Sequence, residues 1–138
     1  TAMFVEASTQ ADVTLLMQLA NSLSKRVYHY SSAQRLSLHL AAVFACNFSN
    51  YCYDMAKQVV DAEQVDFSLL YPLILATAQK ATLHAPEDAQ TGPAVRGDHH
   101  ILNMHQQMLD QAGRSDLQQI YQLFSQQIQQ RAHALQQE

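Results

Sequence analysis

Apolar residues along this 138-residue chain recur mostly at helical spacing. Val13, Leu16, Met17 and Ala20 follow one another every three or four positions and mark one face of a helix. Thr9, with Asp12 three residues on, is placed to cap it. The flanking pattern is different. Met3-Phe4-Val5-Glu6-Ala7 is short and strand-like, and Arg26-Val27-Tyr28-His29-Tyr30 alternates as a strand does.

A longer helical pattern follows. Ser31 stands three residues before Gln34, a capping box, and no Gly or Pro occurs from there until Pro72. The pattern predicts one helix from about Ser32 to about Glu63, roughly 45–50 Å long at about 1.5 Å per residue. On a helical wheel Leu38, Leu40, Phe44, Phe48, Tyr51, Met55 and Val59 fill a broad apolar arc. Arg35, His39, Asn47, Asn50, Asp54 and Lys57 share the rest, with Val43 and Cys46 among them.

The breakers come late. A second helix is expected over about Phe67 to His84, capped by Asp66 or Ser68, with Pro72 most easily placed near its first turn. Ala85 to Gly97 carries two prolines and two glycines and reads as a loop. Asp98 is a cap for a helix that Gly113 ends. Ser115 and Gln118 predict a further capping box. Leu117, Ile120, Tyr121, Phe124 and Ile128 give the last helix an apolar face. The fold class expected is mainly α: a helical bundle around one long central helix, with a short N-terminal strand-helix-strand segment over residues 1–30 and a helical domain over 31–138.

Composition narrows the functions open to such a chain. Hydrophobic residues make up 48% of it, enough to supply a core. The net charge of −4 offers no broad basic surface for nucleic acid. The longest apolar run, Leu36 to Tyr53, is interrupted by Ser37, His39, Asn47, Ser49 and Asn50, so it reads as a buried helix and no membrane partner is expected. Cys46 and Cys52 lie six apart on one helix, point apart and cannot bridge each other; they read as reduced thiols of a cytoplasmic protein. His99, His100 and His105 lack the spacing of three or four that helical metal ligands need, so no metal is expected.

Two places carry candidate chemistry. Arg35 and His39 are one turn apart, with Asn47 further along the arc. If that arc lines a cleft, His39 can move a proton while Asn47 and Arg35 hold a carbonyl or an anion; otherwise it is a solvated face. The second place is Thr91-Gly92-Pro93-Ala94-Val95-Arg96-Gly97-Asp98. There, free N–H groups at a helix start with Arg96 beside them can receive an anion, although the Asp98 carboxylate competes for the same donors. No Gly-x-Gly-x-x-Gly or Walker loop is present, and the three glycines all lie at position 92 or beyond.

Arg35-x-x-x-His39, followed by Ala41-Ala42-Val43-Phe44-Ala45-Cys46-Asn47, then Thr91-Gly92-Pro93-x-x-Arg96-Gly97-Asp98 and His105, resembles the C-terminal domain of a bacterial family. Its members pair a Rossmann-like domain with a domain of unknown function, family 2520, and are similar to the helical domains of 6-phosphogluconate dehydrogenase, ketopantoate reductase and pyrroline-carboxylate reductase. The resemblance implies that residues 1–30 are the remnant of a nucleotide-binding domain. It also implies that NADP or NAD is held by the full-length protein and not tightly by this segment, and that the long helix supports a homodimer. Thr91, Arg96 and His105, with Arg35, become substrate-binding candidates near a cleft for a small molecule, and His39 and Asn47 catalytic ones. The relatives' helix lysine has no counterpart in the two turns before Asn47. The rival expectation is a non-catalytic helical interaction or assembly module.

Overall fold

In a computed structural model, which describes residues 1–137, the strands Met3–Val5 (β1) and Val27–His29 (β2) pair in parallel, with Phe4 opposite Tyr28. Parallel neighbours need a crossover, and the helix Gln10–Leu23 supplies it. Thr9 caps this helix: its Oγ1 accepts the Asp12 N–H at 3.2 Å and donates to the Asp12 carboxylate at 2.7 Å. The helix packs on both strands, with Val13 and Ala20 buried. Strand alternation puts Phe4, Tyr28 and Tyr30 on one face, and their rings stack with centroids 5.6–5.9 Å apart.

The long helix is continuous from Ser32 to Ala62, 31 residues, one short of the expected end. Ser31 closes the anticipated capping box: its Oγ accepts from Gln34 N–H, and Gln34 Oε1 accepts from Ser31 N–H at 2.8 Å. One feature was not expected. Ser32–Ala42 and Ser49–Ala62 are α-helical, but Val43–Phe48 between them forms a π turn, wider than an α turn by one residue. Ser49 Oγ donates to the carbonyl of Phe44, five residues back, at 3.3 Å.

The chain divides into two compact units, Thr1–Gln58 and Val59–Glu138. The second begins with the last turn of the long helix. Asp66 is then the cap: it accepts from Ser68 N–H at 2.9 Å and starts a 3-10 turn, Phe67–Leu70, that leads into the helix Tyr71–Leu83. Pro72 thereby sits in the first α turn, where its missing N–H costs nothing.

The helices His99–Gln111 and Ser115–Leu135 form an antiparallel hairpin with Leu102 and Leu117 buried. Gly113, at φ +67°, turns the chain between them, and Arg114 N–H reaches back to the carbonyl of Leu109 at 2.9 Å. The capping box expected at Ser115 and Gln118 does not form. Arg114 is the cap residue and makes no side-chain cap bond, while Gln118 donates to the carbonyl of Gln106 on the facing helix at 3.2 Å. Arg114 instead grips Asp116 with two contacts of 2.7 and 2.9 Å and holds that carboxyl down at about 2. The architecture is thus mainly α with a two-stranded parallel sheet, as the hydrophobic pattern implied.

Candidate functional site

In the first unit the three sequence-predicted residues share the long helix but not the same circumstances. Glu6, just past β1, sits at the helix start. Its Oε1 accepts from Ser32 N–H at 3.0 Å and its Oε2 from Ser32 Oγ at 2.6 Å. Arg35 meets the same carboxylate at 2.7 Å and donates to the carbonyl of Tyr30 at 2.7 Å and to Ser32 Oγ at 3.0 Å. A carboxylate is favoured at a helix N-terminus by the free N–H groups there. The Ser32 bonds and then Arg35 lower Glu6 from an ordinary 4.5 to about 2. Arg35 is therefore engaged in tying the strand-helix-strand segment to the long helix.

His39, one turn on, is exposed, and so is Asn47 within the π turn. The His39 ring nitrogens can donate or accept a hydrogen bond, and the Asn47 amide can both donate to and accept from an oxygen-bearing ligand.

In the second unit Thr91 and Arg96 are exposed on the loop before the His99–Gln111 helix. Gly92 and Gly97 take left-handed φ values of +112° and +64°, which bend this loop as their positions suggested. Asp98 caps the helix by accepting Ile101 N–H at 3.2 Å, so the carboxylate occupies the place where an anion would approach. His105 lies on the His99–Gln111 helix. Its Nδ1 lies 2.8 Å from the hydroxyl of Tyr121 on the last helix, ring edge to ring face, and both residues are half-buried. Burial pushes the Tyr121 phenol above its ordinary value, and a hydrogen bond with Ser125 partly offsets the shift.

Sequence reasoning missed Tyr121 as a partner, although a tyrosine on a buried helix face needs somewhere to place its hydroxyl. It also missed a cleft of about 360 Å³ between Pro86, Glu87, Gln90 and Val95 on one side and Gln127, Ile128, Arg131, Ala132 and Leu135 on the other. Neither Thr91, Arg96 nor His105 lines this cleft. Among the described residues no three His, Cys, Asp or Glu side chains are grouped to hold a metal, and no helix is long and apolar enough to cross a membrane.

A family model described as a domain of unknown function, DUF2520, matches residues 1–128. The chain belongs to the DUF2520 family. Among solved structures this DUF2520 chain is similar to a Bacteroides fragilis protein named as a putative NADP oxidoreductase. The two are 43% identical, with a TM-score of 0.80, over 93% of this chain and 49% of that one. A Thermotoga maritima protein shares the fold at 21% identity and a TM-score of 0.74, over 92% of this chain and 51% of its own. The DUF2520 chain thus spans about half the length of the solved proteins it matches. No curated protein matches it.

Proposed function

We propose that this DUF2520 domain is the helical half of an NAD(P)-dependent oxidoreductase, where it faces a small-molecule substrate and pairs with a second copy of itself. One observation carries the reading: 43% identity over nearly the whole chain to a protein named as a putative NADP oxidoreductase, of which the chain matches about half. Two further features agree with it. Parallel sheets are normally larger than two strands and covered on both faces, so β1 and β2 suit the edge of a larger nucleotide-binding sheet. The chain itself has no glycine before Gly92 with which to cradle a pyrophosphate. NADP or NAD is then held by the other half.

In this reading His39 exchanges the proton and Asn47 holds the substrate oxygen. Arg96 and Thr91 offer donors to an anionic group, and His105 acts with Tyr121. Arg35 chiefly fixes the helix that carries His39 and Asn47.

The same reading assigns the apolar side of the long helix to a second copy. Leu36 is 69% exposed, Leu40 58% and Phe44 62%, more than a monomer ordinarily leaves to water on one helix side. Those residues equally favour the rival, a non-catalytic assembly module. Titrating NADPH fluorescence against this chain, and against a form extended to the length of its solved relatives, separates the two. Tight binding by the extended form alone is expected. Tight binding by the 138-residue chain contradicts the division of labour, and no binding by either form favours the assembly module.

A further inference from the structure

An α-helix turns about 100° per residue. Were the long helix α throughout, Asn47 would stand about 80° around the axis from His39, and Asp54 and Gln58 would fall in the sector of Leu36 and Leu40. The π turn at Val43–Phe48 changes this. It takes up one extra residue, so each residue beyond it lies where its predecessor would otherwise lie, set back by about 100°. Asn47, fifth of the six π residues, is set back by most of that angle. It comes within about 20° of His39, roughly 10 Å further along the axis. Asp54 and Gln58, joined at 2.7 Å, move into the same line.

We infer that the π turn is a positioning device: it rotates Asn47 away from Leu36 and Leu40 and into register with His39, so that both present their hydrogen-bonding groups to one side. The alignment is a property of this helix and does not rest on the oxidoreductase reading. If that reading is right, the two groups address a single ligand from one strip. π turns recur at functional positions because they admit a residue without disturbing the helix on either side.

The test uses nitroxide labels on His39→Cys and Asn47→Cys with Cys46→Ser and Cys52→Ser in the same chain. At about 10 Å the paired labels should show strong dipolar broadening relative to either single label. Deleting Ala45 should abolish the π turn, keep the broadening and leave the melting temperature unchanged or higher. Inserting one alanine between Ala41 and Ala42 should swing Asn47 away and remove most of the broadening. Absence of broadening at the native spacing overturns the inference, even if the deletion fails to fold. So does broadening that survives the insertion in full. NADPH binding does not enter any of these measurements, so their outcome is separate from that of the proposed function.

Discussion

Glu6 and Arg35 stand 2.7 Å apart and join the end of β1 to the first turn of the long helix. Both side chains are about one-third exposed, so solvent weakens the ion pair itself. The stronger part is the sharing of one carboxylate between a helix N–H, a hydroxyl and a guanidinium that also holds the Tyr30 carbonyl. Arg35→Ala should cost about 1 kcal/mol, read as a lower denaturant midpoint. Hydrogen exchange at Ser32 N–H should also rise. An unchanged midpoint together with unchanged exchange would show the clamp to be incidental.

The same carboxylate predicts a dependence on pH. Its value is depressed from 4.5 to about 2 in the folded chain. The stabilisation is therefore complete above about pH 4.5 and is lost as the pH falls toward 2. Asp116, brought from 3.8 to about 2 by Arg114, adds to the loss over the lower part of that window. Melting temperatures measured between pH 5 and 2 should fall more steeply for the native chain than for Glu6→Gln. Parallel curves would remove Glu6 from the account.

His105 and Tyr121 supply a check in the second unit. Tyr121→Phe leaves a half-buried imidazole without its 2.8 Å partner and should cost about 1 kcal/mol. Because burial raises the phenol above its ordinary 10, the native chain should contain one tyrosine that ionises late in an ultraviolet pH titration. That step should vanish in Tyr121→Phe. The sign is set by the raised value: stability present below about pH 10 is lost as the pH climbs through the folded value.

Gly113 offers a backbone test. A Cβ there meets nothing within 4 Å, so Gly113→Ala acts through the left-handed φ of +67° alone. The expected loss is about 1 kcal/mol, a fall of about 3–5 °C in melting temperature. The same change at an ordinary helical position is neutral or better.

Light scattering tests the proposed pairing. Phe44 is largely exposed and stacks edge-on with Phe48 at 5.1 Å. Phe44→Glu should convert a dimer to a monomer while helicity by circular dichroism is kept. A native chain that is monomeric at high concentration would count against the pairing.

The fold was largely legible because caps are local chemistry. Thr9 with Asp12, Ser31 with Gln34, and Asp98 ahead of Ile101 each need only a short side chain three residues from an N–H, and all three form. Gly113 is legible for a similar reason. Where a distant group competes, local reading fails. The Ser115–Gln118 box loses to Arg114 gripping Asp116 and to the Gln106 carbonyl across the hairpin. Arg35 beside His39 looks like a ligand pair until Glu6 arrives from the end of a strand.

The π turn is the least legible feature, since no residue type marks an inserted position. Its one trace in the sequence is a mismatch of phase. Val43 and Cys46 fall among the polar positions of a regular wheel, and Asn47 drifts toward Leu36 and Leu40.

The chain has six tyrosines and no tryptophan, and this makes the Phe4–Tyr28–Tyr30 stack a built-in optical reporter. Rings held in a fixed array 5.6–5.9 Å apart couple their transitions and give a near-ultraviolet dichroism that disappears when the array loosens. The late-ionising Tyr121 lies in the other unit. Melting of the strand-helix-strand segment and of the helical hairpin can thus be followed by two intrinsic signals in one unlabelled sample.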